Sequence, residues 1–142
     1  MQGVTSDDEA AYNELCAYTL THGDPAFIHQ HVVDAWAAQT ARRDSKPISV
    51  AFALAGLYLH LDKGFSGRQV QRAHMQLARR KSVWPVFALP EDRGAVTARD
   101  VMTREPGAER DQAIEEWCRA VWQAYATERD AVIAFLEQQG VL

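Results

Sequence analysis

Histidine and aspartate side chains occur in this sequence at positions that a helical pattern would bury. His31 lies in the apolar stripe of one segment, and Asp34 follows three residues later on the same side. His60 belongs to the apolar run Ile48–Leu61, and His74 lies within the apolar stripe of the next segment. Helical bundles build ligand and metal sites from imidazole and carboxylate groups on facing helices, so these residues are the first candidates for a site.

One interpretation is an internal pocket in which the protein binds or transforms a small anionic molecule. His31 would be the general base there, because the carboxylate of Asp34 can fix the tautomer of its ring and stabilise the imidazolium. Tyr58, His60 and His74 would line the same cleft. The sequence offers no matching nucleophile, so whether the protein is an enzyme stays open.

Two further interpretations use the same residues. The histidines can be structural groups that hydrogen-bond to their neighbours inside the core. Alternatively His31, Asp34 and His74, with Glu128 as a further candidate, would ligate a divalent metal. The sequence favours no particular metal or other cofactor, because it lacks the spacings that place two ligands on one face of a helix.

Basic residues are concentrated in one stretch of an acidic chain. Between Lys63 and Pro90 there are six Lys or Arg residues and no Asp or Glu, whereas the net charge of the whole chain is −4. Arg68 and Arg72 lie one turn apart near the start of a predicted helix, where they and the helix dipole would bind the anion at the mouth of the pocket. The alternative is a non-enzymatic interaction module whose basic fourth helix docks an acidic partner, or a solvated face that pairs with acidic helices.

Capping residues and apolar periodicity predict an all-α fold, a four- to five-helix antiparallel bundle. Asp24 and Pro25 predict the start of the second helix, Gly64 the end of the third, and Ser66 the N-cap of the fourth. The predicted helices lie near residues 7–21, 25–42, 48–62, 67–81 and 108–138, the last with a bend or break near Thr127. The short connections between them predict antiparallel neighbours.

A long irregular loop is predicted over about residues 82–106, before the last helix. Trp84-Pro85 and Leu89-Pro90 interrupt regular structure there, and Thr97-x-x-Asp100 opens a short turn. Trp84 would anchor this loop or cover a pocket. With 142 residues and no linker, residues 1–142 are predicted to form a single helical domain.

Composition excludes several classes of protein. An acidic balance argues against nucleic-acid binding, and no apolar run reaches the roughly 20 residues of a membrane span. Cys16 and Cys118 lie in apolar stripes without a Cys-x-x-Cys pair, which predicts free thiols and a cytoplasmic protein. We expect a monomer or a homodimer.

Several motifs together resemble one family. They are Tyr12–Leu15, Thr21–Ala35, Gly56–His60, Gly67–Met75, Thr97–Met102 and Trp117–Trp122. The sequence resembles, over nearly its whole length, a bacterial family of small helical proteins that forms a domain of unknown function. The resemblance implies no activity, substrate or cofactor. Broader relatives carry an N-terminal Pro-Gly-Cys element and a His after the Gln at position 39, whereas this chain lacks that element and has Thr40.

Overall fold

The computed structural model describes residues 6–21, 24–80 and 84–142. Over these residues the chain is all-α, as predicted, with seven α-helices, one short 3-10 helix and no strand. The α-helices are α1 (Ser6–Thr21), α2 (His29–Gln39), α3 (Pro47–Leu61), α4 (Gly67–Arg79), α5 (Ala98–Met102), α6 (Ala108–Ala124) and α7 (Arg129–Gln138). The predicted count of four to five helices is therefore too low. Gly23, which as a glycine predicts a stop for the first helix, lies outside the described residues.

The additional helices arise in two places, within the predicted irregular loop and within the predicted last helix. α5 lies inside the predicted loop, because Thr97 and Asp100 form a reciprocal capping box that starts a helical turn. The predicted last helix is two helices joined by a 3-10 turn at Ala126–Glu128. Tyr125 is fully buried at this break, and its hydroxyl donates to the carbonyl oxygen of Ala38 at 2.6 Å. That buried hydrogen bond holds the ring in place where the chain bends.

The second helix starts four residues later than predicted. Residues 24–27 instead form a turn, in which the Phe27 amide donates to the Asp24 carbonyl and Phe27 has a φ of 59°. Asp24 still caps the helix, because its carboxylate accepts from the amides of Ile28 and His29 at 2.7 and 2.9 Å. The turn moves the start of α2 away from Pro25.

α2 ends at Gln39, three residues before the predicted end. Arg93, which is 9 % exposed, directs its guanidinium at this end from the irregular segment. It donates to the carbonyl oxygens of Ala38, Gln39 and Ala41. A cation that binds the last carbonyls satisfies acceptors that the helix itself leaves unpaired.

α3 is the central helix, as its apolar sequence predicts. Nine of its fifteen residues are buried, and it contacts α2, α4, α6 and α7. α2 in turn contacts α1, α3, α4 and α6, so that polar residues on the facing sides of α2 and α3 lie in the interior. Gly64, with a φ of 73°, ends α3 and Ser66 caps α4, as predicted.

Candidate functional site

Two histidines from the central helices stack on each other. His31 on α2 and His60 on α3 have ring centroids 3.5 Å apart and planes inclined by 17°. His31 is only 5 % exposed. Because the rings lie face to face, a proton on one ring disfavours a proton on the other.

His60 is the ring of the pair that favours the protonated form. Its Nδ1 lies 2.8 Å from the carbonyl oxygen of Phe65, and its Nε2 is paired with Oε1 of Glu115 on α6. Both partners are acceptors, so the ring binds them best with a proton on each nitrogen. Burial lowers the pKa of His60, but the hydrogen bonds to Glu115 and Phe65 outweigh it and the pKa lies above its ordinary value. The bond from His60 lowers the pKa of Glu115.

The loop after α3 positions the carbonyl of Phe65. The amide of Gly64 donates to the carbonyl of His60, and the amide of Phe65 donates to that of Leu59. This pattern folds the chain back across the end of the helix, which requires the left-handed backbone that Gly64 adopts. The turn that ends α3 thus places the Phe65 carbonyl within hydrogen-bond distance of His60.

His31 is the neutral partner of the stack. Burial lowers its pKa to about 4, and the adjacent charge of His60 contributes to the lowering. Within the described part of the chain, no side chain or backbone group hydrogen-bonds to its ring nitrogens. His31 therefore presents an unprotonated nitrogen that is available to a ligand.

A cavity of about 320 Å³ opens onto the two rings. Its described lining residues are Ala26, Ile28, His31, His60, Gly64, Phe65, Ser66, Gln69, Asp111, Ile114 and Glu115. One wall is the turn at residues 24–27, whose Phe27 is the non-glycine residue with left-handed φ among the described residues. Such backbone strain is typical of ligand sites. The described lining contains two carboxylates and no Lys or Arg.

A second polar group lies beside the stack. Asp34 on α2 is 3 % exposed; Oδ1 accepts from the side-chain amide of Gln30, whereas Oδ2 has no hydrogen-bond partner. A Cβ on Gly56 of α3 would collide with this Oδ2 and would lie 3.2 Å from Nε2 of His74. Burial raises the pKa of Asp34 well above its ordinary value. Asp34 is thus held next to the bare backbone of α3, and its partner is Gln30, whereas the sequence suggested His31.

His74 and Tyr58 have structural partners. The Nε2 of His74 lies 2.8 Å from the carbonyl of Phe52, on whose ring it stacks. Tyr58 points to another side of α3, where its ring lies 6.2 Å from that of Trp122. The structure therefore brings His31 and His60 together at the cavity and places Tyr58 elsewhere.

The two arginines singled out from the sequence lie apart from the histidine rings. Arg68 donates to the carbonyl of Pro25 at 2.9 Å and lies over the ring of Phe27, so it holds the turn against α4. Arg72 lines an open groove of about 390 Å³ between α4 and Val141. Neither arginine is among the described lining residues of the cavity.

A larger cavity of about 580 Å³ lies at the end of α2, and several of its polar wall residues already have hydrogen-bond partners. Gln39 bonds to Trp117 and Val96, and Arg93 bonds to the carbonyls at the end of α2. Thr97 and Asp100 bond to each other. The smaller cavity is the better candidate site, because it is lined by His31, whose ring nitrogens have no hydrogen-bond partner among the described residues.

Glu115 and Phe65 were not identified from the sequence. Glu115 lies at the edge of the apolar stripe of α6, between buried Ile114 and Cys118, which is the one sequence signal for it. The role of Phe65 depends on its backbone carbonyl, which no pattern of side chains in the sequence indicates. Glu128, considered as a metal ligand, accepts from the amide of Ala88.

The described residues also bear on the metal, disulfide and membrane expectations. No group of three or more His, Cys, Asp or Glu side chains there is arranged to hold a metal ion. Both cysteines are free thiols, as predicted. In the described ranges, no helix combines the length and apolarity that crossing a bilayer requires.

The fold and the site define an all-α protein in which a buried histidine stacks on a partly buried one beside a cavity. The chain belongs to a family of unknown function, DUF5946, whose model matches residues 6–126. This confirms the resemblance to a domain of unknown function that the sequence shows. No curated protein and no solved structure matches the chain.

Proposed function

We propose that the protein binds a small molecule in the cavity of about 320 Å³, with His31 as the group that accepts a proton or hydrogen bond from it. The observation that supports this is the pairing of His31 with His60. His60 is fixed by Glu115 and the Phe65 carbonyl, whereas the ring nitrogens of His31 have no partner in the described structure. A buried, unpaired base beside a cation is an arrangement that folding alone does not require.

The chemistry of the cavity favours a ligand with a hydrogen-bond donor at its inner end. The neutral ring of His31 accepts there, while the positive charge of His60 balances the negative charge of Glu115. In the stacked pair His60 is an imidazolium with two N–H groups and His31 is a neutral imidazole with one, which places an acid and a base within a few ångströms of each other. A bound molecule that donates to His31 thus meets a site able to exchange a proton with it.

The test is a ligand-observed NMR screen with a library of neutral, anionic and cationic fragments. We expect hits on the unmodified protein that disappear in both His31→Ala and His31→Gln, the second of which keeps a polar side chain. His29→Ala is the matched control, because His29 is half-buried on α2 and pairs with Thr19 at 2.9 Å. Hits that survive equally in both His31 variants would overturn the proposal, as would the absence of any hit.

A further inference from the structure

A groove beside the cavity contains two arginines that have no counter-charge within the described part of the chain. Its described lining residues are Phe65, Gln69, Arg72, Ala73, Met75, Gln76, Arg79 and Val141. Neither Arg72 nor Arg79 forms an ion pair or hydrogen bond with the described residues. No Asp or Glu is among those lining residues, although acidic residues outnumber basic ones in the chain as a whole.

The groove and the cavity share two wall residues. Phe65 and Gln69 line both, and together they join the arginine groove to the histidine cavity. Gln69 is held in place by the capping box of α4, in which its Oε1 accepts from the amide of Ser66. Its side-chain NH₂ group remains as a donor at the junction.

The walls of the groove specify a ligand type. Phe65, Met75 and Val141 provide apolar contact, while the two arginines provide donors in the fork geometry that suits phosphate and carboxylate. Arg72 and Arg79 are two helical turns apart, about 10 Å along the axis of α4. An anionic group therefore has a positive partner on either side of Gln76.

We propose that the ligand of the histidine cavity is an amphipathic anion, a phosphate or carboxylate on an apolar body, whose charged end lies in the groove at Arg72 and Arg79. This inference rests on the proposed function, because it assigns the class of ligand to that same site. The apolar body lies on Phe65, and the other end of the molecule reaches His31.

Phenyl phosphate and benzoate are suitable anionic probes, and benzyl alcohol is the uncharged control. In one NMR titration at fixed ionic strength, the side-chain Nε–H signals of Arg72 and Arg79 report on the groove. The ring C–H signals of His31 and His60 report on the cavity. We expect both sets to shift with at least one anion and neither to shift with benzyl alcohol at the same concentration; comparison of the two anions distinguishes phosphate from carboxylate.

Charge-neutral variants test the assignment. Arg72→Gln and Arg79→Gln should each weaken binding about fivefold, which is the effect of one exposed ion pair. Arg43→Gln is the matched control, because Arg43 is exposed and lines none of the cavities described above. Equal weakening in Arg43→Gln would overturn the proposal by showing a general charge effect.

The two sets of signals separate the two proposals. Histidine shifts without arginine shifts would leave the cavity as a binding site and overturn the anion assignment. Arginine shifts without histidine shifts would show a groove that binds anions independently, which overturns the link to His31. The absence of a shift in both sets of signals with both anions would overturn the inference as well.

Discussion

His60 and Glu115 form the electrostatic centre of the site at the scale of single residues. The carboxylate of Glu115 favours the imidazolium form of His60, and burial together with this adjacent charge lowers the pKa of the stacked His31. The protonation state of His31 therefore depends on Glu115 through His60. A substitution of Glu115 should change the pKa of His60 more directly than that of His31.

Glu115→Gln should lower the pKa of His60, because the substitution removes the carboxylate that accepts a hydrogen bond from the imidazolium. The signs of the two shifts fix the pH range of the effect on stability. His60 has a raised pKa, so its contribution is present below its unfolded value of about 6.5 and is lost as pH rises through the folded value. Glu115 has a lowered pKa, so its contribution is present above its unfolded value of about 4.5 and is lost in acid.

The free energy of unfolding of the unmodified protein should thus exceed that of Glu115→Gln most between about pH 4.5 and 6.5. Ring C–H titration by NMR gives the pKa, and urea unfolding across the pH range gives the stability. Glu116→Gln is the control, since Glu116 is an exposed neighbour on the same helix. An unchanged His60 pKa in Glu115→Gln would contradict this account of the pair.

Part of this site could be anticipated from the residues alone. His31 and His60 were expected to face the interior, because each interrupts an apolar helical face. Their stacking and the choice of Glu115 as partner depend on the relative rotation of three helices, which periodicity within one helix does not determine. The unpaired Oδ2 of Asp34 likewise depends on the approach of a second helix.

At the scale of helices, Gly56 determines how closely α2 and α3 approach beside the site. Alanine at this helical position would ordinarily stabilise the protein by up to about 1 kcal/mol. Here its methyl group would meet the buried carboxyl of Asp34, so the helices must separate or the carboxyl must move. We expect Gly56→Ala to lower the free energy of unfolding by about 1–3 kcal/mol, the usual cost of overpacking a core.

A double-mutant cycle with Asp34→Ala checks the cause of that loss. Removal of the carboxyl creates the space that the methyl group needs, so the double variant should be more stable than the two single losses predict. Urea unfolding of the four proteins measures the coupling. Additive losses would mean that Gly56 is required for a reason other than Asp34.

Helix ends show why the sequence predicts elements better than their boundaries. Ser66 and Gly64 act locally, and both were placed correctly. The ends of α2 depend on groups that a local pattern does not contain. Arg93 binds the last carbonyls from more than 50 residues away, and the turn at Phe27 packs against the backbone of Gly67.

At the scale of the whole molecule, the irregular segment before α5 joins distant parts of the chain. Trp84 lies 5.4 Å from Phe52 on α3 and 5.9 Å from Phe135 on α7, measured between ring centroids. Of the two roles suggested for this tryptophan, the contacts fit an anchor. Further along, Arg93 holds the end of α2, so the segment connects the central helices with the last one.

Trp84→Ala should therefore weaken the whole fold as well as the loop. Because Trp84 is only partly buried, we expect a loss of about 2 kcal/mol, below the 3–5 kcal/mol of a fully buried aromatic residue. Val86→Ala is the control, since Val86 is in the same segment and 83 % exposed. Urea unfolding gives the global loss, and hydrogen exchange shows where protection falls. Faster exchange confined to residues 84–97, with unchanged global stability, would show that the segment is peripheral; faster exchange that includes α7 would show that Trp84 couples the two ends of the core.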